Sequence, residues 1–183
     1  MRCFVSVDLD PSLRNAVRAV QKKFDGLGKI KFTEPENLHF TIKFLGEVKE
    51  SQLEKIKEEL DRVAKNNSVF LIDIRGVGAF PSTNYIRVLW LGVEKNKEKM
   101  ANLQQQVNRA VPGKKSDTPH LTICRVKYIN DRKRMSEILE RLERVRVGEM
   151  AVKSIKLKKS TLTPKGPIYE DLGIFYLSEP ERG

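Results

Sequence analysis

The sequence predicts an α+β fold, built as two pseudo-symmetric lobes with antiparallel sheets around a central cleft and helices on the outer faces. Three observations predict it. Strand-like and helix-like segments are mixed without a regular β-α-β alternation. Connections are short, which favours antiparallel neighbours. One short pattern, histidine-apolar-threonine-apolar followed by a helix, occurs once in each half: His39-Phe40-Thr41-Ile42 and His120-Leu121-Thr122-Ile123. The length, 183 residues, suits one domain over 1–183 in which both lobes share a core.

Residues 2–8 alternate apolar and polar side chains, giving a first strand. Asp10-Pro11 supplies an N-cap and a first-turn proline for a helix over 11–24, with Leu13, Val17, Val20 and Phe24 on its apolar face. Residues 29–33 form a short strand, 33–37 a turn, and 38–44 the first motif strand. Ser51 to Glu54 reads as a capping box for a helix over 50–65. Strands follow at 69–75 and 85–92. A helix over 96–110 leads through a polar loop, 111–117, to the second motif strand at 120–126. Asn130 caps a helix over 131–144, and strands at 146–157 and 168–177 close the chain.

Composition narrows the function classes. Net charge is +11, which points to an anionic partner, and nucleic acid fits better than a membrane. No apolar run is long enough for a membrane span. The residues Met1 to Val7 are too short and too alternating for a signal peptide, so the cytoplasm is the expected location. Cys3 and Cys124 are the only cysteines, without a C-x-x-C or a Cys/His cluster, so no zinc site is expected; no cofactor is expected either. Two candidate cationic borders for a nucleic-acid path are Lys153, Lys156, Lys158, Lys159 and Lys165, and Arg132, Lys133 and Arg134. Lys114 and Lys115 lie nearest the second motif. Tyr85 and Trp90 are candidates to stack a base.

The two motifs hold the only histidines of the chain. Alternation along a strand puts Phe40, Ile42 and Phe44 toward the core and His39, Thr41 and Lys43 on the other face. In the second copy Leu121 and Ile123 face inward, while His120, Thr122 and Cys124 face outward. Imidazole and hydroxyl then stand about 7 Å apart in line on each strand. Lobes that face each other bring two imidazoles and two hydroxyls to one cleft. One neutral imidazole can take a proton from water while a protonated one gives a proton to a leaving alkoxide, because both have an ordinary pKa of about 6.5. Threonine hydroxyls can donate to the non-bridging oxygens of a phosphodiester. The pattern does not say which histidine is acid and which is base.

The paired H-x-T-x tetrapeptides resemble the mark of the 2H phosphoesterase superfamily. The longer stretches Arg2–Asp8, Asn37–Gly46, His120–Arg125 and Tyr169–Leu177 are similar to RNA 2′,3′-cyclic phosphodiesterases, also called 2′-5′ RNA ligases. The resemblance implies hydrolysis of RNA 2′,3′-cyclic phosphate ends to 2′-phosphomonoesters without metal, His39 as proton donor and His120 as proton acceptor. It also implies phosphate contacts from Thr41 and Thr122. Its partner would be RNA with cyclic phosphate ends, tRNA fragments among the candidates, acted on by a monomer. Lys43 and Arg125 are further substrate-binding candidates. Strict alternation turns Arg125 away from the cleft, so either a bulge or the strand's end redirects it or its role is structural. The alternatives are ligation of RNA ends by the same groups and a non-catalytic RNA-binding module.

Overall fold

The computed structural model describes residues 1–116 and 118–180; Asp117, the end of the predicted polar loop, lies outside them. The elements are β1 (Arg2–Asp8), α1 (Arg14–Lys22), β2 (Gly28–Phe32), β3 (His39–Glu47), α2 (Leu53–Lys65), β4 (Phe70–Pro81), β5 (Ile86–Val93), α3 (Lys97–Ala110), β6 (Leu121–Ile129), α4 (Arg132–Leu142), β7 (Arg146–Val152), β8 (Ser154–Thr163) and β9 (Gly166–Tyr176). Every predicted helix and strand is present, with local corrections. The first helix begins with a short 3-10 turn, Pro11–Leu13, where Asp10 accepts from the Ser12 N–H at 2.9 Å. The cap of the second is set two residues earlier than Ser51: Gln52 accepts from the Lys49 N–H at 3.0 Å. Asp131, not Asn130, caps α4, accepting from the Arg134 N–H at 3.0 Å. The single strand expected over 146–157 is two, broken at Lys153.

The strands make one continuous sheet in the order β7-β4-β5-β6-β3-β1-β8-β9, with β2 paired to β6 beside this path. The paired neighbours are all antiparallel. Two four-stranded halves, β3-β1-β8-β9 and β6-β5-β4-β7, meet where the motif strands touch through the pair Phe40–Leu121. The expected lobes are therefore halves of one sheet. The join is narrow, since Phe40–Leu121 is the one residue pair that links β3 to β6 among the described residues.

Helices are exchanged between the halves. α1, from the first half of the sequence, packs on β6 and β7; α3, from the second, packs on β3. α2 covers β8 and β9, and α4 covers β4. The predicted apolar stripes account for this. Val17, Val20 and Phe24, then Met100, Leu103 and Val107, are buried in one core with Phe40, Ile42, Leu121 and Ile123. Each fully buried side chain of this size contributes about 1.5–3 kcal/mol by leaving water. The chain segment before each motif strand repeats as well. β2 runs beside β6, and Lys114 bridges to Phe44 of β3. Gly113 allows that second approach, since its φ is +117° and a Cβ would collide with the Phe44 carbonyl.

Candidate active site

Both motifs carry the same irregularity, and it decides which side chains reach the cleft. In β3, Ser6 of β1 pairs with Thr41 and Val5 with Lys43, so Ile42 is an extra residue. In β6, Trp90 of β5 pairs with Thr122 and Leu89 with Cys124, so Ile123 is the extra residue. A bulge places two successive residues on one face. Ile42 and Lys43 thus both turn inward, as do Ile123 and Cys124, and all four are buried. Phe44 and Arg125, next in line, turn out into the cleft.

Three expectations are corrected here. Lys43 does not face the site. It is 1% exposed, and its Nζ donates to the carbonyls of Asn108 at 2.9 Å and Val111 at 2.6 Å, at the C-terminal end of α3. Carbonyls without helical partners and the negative end of the helix dipole make that a favourable place for an ammonium. Burial first, and then the nearby Lys115 charge, hold its pKa below the usual lysine value. Phe44, expected in the core, is 55% exposed and lines the cleft. Cys124, expected to face outward, is buried, and burial pushes its thiol up to about 12, so it is no nucleophile near neutral pH. Lys43→Met should cost about 1–3 kcal/mol for each carbonyl left without a donor, read as a lower Tm in thermal unfolding.

Two buried glutamines hold the bulges. Gln104 of α3 donates to the Ile42 carbonyl at 3.0 Å. Gln21 of α1 donates to the Ile123 carbonyl at 2.8 Å and to the Thr33 carbonyl at 3.0 Å. Each exchanged helix therefore pins the irregular strand of the opposite half, at the residue that sets the outward turn of Phe44 or Arg125. A buried carbonyl displaced by a bulge needs such a donor.

The histidines line one cleft of about 760 Å³, together with Thr41, Thr122 and Arg125. The Nδ1 of His39 lies 2.7 Å from the Asn37 carbonyl, and that of His120 lies 2.9 Å from the Thr118 carbonyl. A carbonyl only accepts, so each Nδ1 carries a proton and each Nε2 is left for chemistry. The Nε2 of His39 is 2.9 Å from the Thr41 hydroxyl, which donates to it when the ring is neutral. Aromatic rings fix both imidazoles. Phe4 and Tyr169 lie 5.1 and 5.4 Å from the His39 ring, and Phe80 and Trp90 lie 4.8 and 5.9 Å from that of His120. Gly78 makes room for Trp90, because a Cβ there would overlap the indole.

Burial is the main cause of a His39 pKa below the ordinary histidine value. The Asn37 carbonyl opposes the shift; the charges of Lys158 and Arg125 add to it, and Asp8 opposes them. The consequence for stability has a definite sign. Folding favours the neutral ring, so this contribution is complete above about 6.5 and declines as pH falls toward the lower folded value.

The cleft is strongly cationic. Arg2, Lys31, Lys114, Lys115, Arg125 and Lys165 line it, against Glu34 alone. None of the six has a carboxylate partner among the described residues. Of the C-terminal lysine run, only Lys165 reaches the cleft. Lys156 and Lys158 bind Asp8 and Asp171, and Lys159 lies 3.7 Å from Glu170. Those bonds from Lys158 and Lys156 hold the Asp8 carboxyl low although its burial acts to raise it. Arg132, Lys133 and Arg134 lie on α4, outside the cleft lining. Trp90 packs on His120, and the aromatics that line the cleft are Phe4, Phe32, Phe44, Phe80 and Tyr169, none of which the sequence patterns single out as a base-stacking ring. Among the described residues no His/Cys/Asp/Glu cluster is arranged to hold a metal ion, and no helix is long and apolar enough to cross a membrane.

Comparison with known proteins agrees with this internal repeat. The LigT like Phosphoesterase family matches twice, over residues 7–90 and 91–169, so that each match holds one motif strand. A relative from Methanothermobacter thermautotrophicus, named RNA 2′,3′-cyclic phosphodiesterase, is 42% identical, covering 97% of this chain and 99% of its own. One of the same name from Archaeoglobus fulgidus is 41% identical, covering 96% and 99%. Among solved structures, Thermus thermophilus TT0787 superposes with a TM-score of 0.81 at 30% identity, covering 98% and 99%. Escherichia coli LigT in complex with NADP+ gives 0.75 at 20% identity over 97% and 98%, a likeness of fold. Near-complete coverage by these relatives, and a match to each half in turn, show that the chain belongs to the LigT-like phosphoesterase family.

Proposed function

We propose that this protein hydrolyses the 2′,3′-cyclic phosphate at an RNA end to a 2′-phosphomonoester, with no metal taking part. The observation that carries this reading is the pair of imidazoles on one cationic cleft, each with Nδ1 committed to a backbone carbonyl. The names of the relatives supply the substrate. In the reaction, His120 removes a proton from the attacking water through Nε2, water oxygen bonds to phosphorus, and the bond from phosphorus to O3′ breaks. His39 delivers the proton that O3′ takes up. Thr41, Thr122 and Arg125 bear on the non-bridging oxygens, where negative charge grows. The exchanged helices support treating 1–183 as one working unit.

The assignment of His39 as acid comes from family likeness, and the burial that lowers its pKa pulls against it, since an acid must hold its proton until it is used. A phosphodiester anion beside the ring works in the opposite direction, favouring the imidazolium. Titration followed by NMR should therefore give a His39 pKa below 6.5 in the free protein and a higher one with a bound nucleoside 3′-phosphate. A value that does not rise on binding would transfer the acid role to His120. The activity itself is tested with cytidine 2′,3′-cyclic phosphate and with a cyclic-phosphate-ended oligonucleotide, scoring the 2′-phosphate product. Release of the 3′-phosphate isomer would overturn the stated bond cleavage, and binding without turnover would leave an RNA-binding module. Adding a 5′-hydroxyl RNA to the same reaction detects ligation.

A further inference from the structure

Beyond Arg125 the cleft does not end in neutral surface. Across β2, β6 and β5, Lys31, Arg125 and Val88 stand side by side, since Arg125 pairs with both of the others, and all three line the cleft. Two more bulges follow along these strands. Tyr128 pairs with Lys29 and Val126 with Ile30, so Lys127 is an extra residue in β6. Phe80 of β4 pairs with Val88 and Pro81 with Ile86, so Arg87 is an extra residue in β5. Ile86 and Leu89 are buried, as is Val126, while Arg87, Lys127 and Tyr128 are exposed. The bulges thus double the outward side chains where a regular ladder would show half as many. The two bulged segments are tied together, Arg87 donating from Nη1 to the Lys127 carbonyl at 3.2 Å. Its guanidinium also lies 4.8 Å from the centre of the Tyr85 ring and donates to the Tyr85 hydroxyl.

This surface differs from the β8-β9 ladder in its charge balance. Lys29, Arg87 and Lys127 have no carboxylate partner among the described residues, whereas on the other half Lys156, Lys158 and Lys159 are matched by Asp8, Asp171 and Glu170. Unmatched cations interleaved with exposed tyrosines are what a single strand of nucleic acid requires: charge for the backbone and flat rings for bases. Arg125 and Tyr128 pair with Lys31 and Lys29, two residues apart in β2, so they stand about 7 Å apart along the ladder, within reach of the next nucleotide.

We infer that the surface of Lys29, Arg87, Lys127, Tyr128 and Tyr85 is a second RNA subsite, which holds the nucleotides on the 5′ side of the reacting terminal nucleotide. It rests on the phosphodiesterase reading of the cleft and adds a direction: the RNA leaves over the β2-β6-β5 half. The subsite gives a chain of several nucleotides an advantage that a mononucleotide does not share.

The test compares cytidine 2′,3′-cyclic phosphate with a cyclic-phosphate-ended single-stranded RNA dodecamer. In the triple variant K29E/R87E/K127E, kcat/KM for the dodecamer should fall about 100-fold, while the mononucleotide should stay within about twofold. Tyr128→Ala should weaken the dodecamer by about tenfold. Lowering of the salt slope is the second readout: log Kd against log salt should lose about 0.7 for each phosphate contact removed. The charge-matched control R132E/K133E/R134E, on α4, should leave both substrates near the wild-type values. Equal losses for control and triple variant would reduce the effect to general electrostatics and overturn the subsite. So would equal losses for mononucleotide and dodecamer in the triple variant, or no loss for either. Binding of a 3′-phosphorylated dodecamer, followed by fluorescence anisotropy, judges the subsite apart from turnover. If the wild-type protein hydrolyses neither substrate, the phosphodiesterase reading fails, and the same anisotropy comparison still decides whether RNA lies on this surface.

Discussion

His39→Ala and His120→Ala are each expected to lower kcat for a 2′,3′-cyclic phosphate by about 10²–10⁴, the range for a positioned general acid or base. The fold should remain, since neither ring belongs to the buried core. Circular dichroism and Tm close to the wild type would establish that. The double variant should lose little more than either single one, because the two groups serve one proton-coupled step. A single variant that keeps more than about a tenth of the activity would remove that imidazole from the mechanism. The pH profile of kcat/KM should be bell-shaped, with its two limbs belonging to the pair of histidines jointly. A profile without limbs between pH 5 and 9 would count against a two-histidine mechanism.

Arg125→Ala is expected to lower kcat/KM by about 10²–10³, as for loss of one donor to a developing oxyanion. Arg125→Lys should recover part of it, since a lysine keeps the charge but not the planar fork. The position of Arg125 depends on the bulge at Ile123, and that bulge is held by Gln21. Gln21→Leu should therefore reduce kcat/KM by about tenfold while costing about 1–3 kcal/mol in stability for the carbonyls it leaves unpaired. Stability alone does not separate a positioning effect from a general loosening. A double-mutant cycle does. If Gln21 acts through Arg125, Gln21→Leu should have little further effect on kcat/KM in the Arg125→Ala background. Full additivity would make Gln21 a packing residue and nothing more. The corresponding change on the other half, Gln104→Leu, should disturb Phe44 in place of Arg125.

Much of this site is legible from pattern. Period-two alternation places Phe40, Ile42, Leu121 and Ile123 inside and His39, Thr41, His120 and Thr122 outside, and the structure agrees at all eight positions. Alternation fails at the next three residues of both motifs for one reason. A bulge is one extra residue against a partner strand, and the partner is not adjacent in sequence. It is specified by register with β1 and β5, together with a glutamine donated from a helix of the other half. Hence Lys43 reads as a site residue and is a helix cap, and Phe44 reads as core and is a cleft wall. Arg125 is reconciled with the site by the bulge that strict alternation lacked.

The charges divide in the same way. Net charge and the lysine runs can be counted from the chain. Which cations are already neutralised depends on strands brought together from distant segments, as when Asp8 meets Lys156 and Lys158. By itself, then, the sequence determined the order of the elements except the break at Lys153, the inward faces of the two tetrapeptides and the two histidine-threonine pairs, because those follow from local periodicity. Tertiary structure decided the narrow join of the half-sheets, the exchange of helices, the outward turn of Phe44 and Arg125 and the unmatched cations. Each of these is a relation between residues far apart in the chain, fixed only when hydrogen bonds and charges find partners across the folded core.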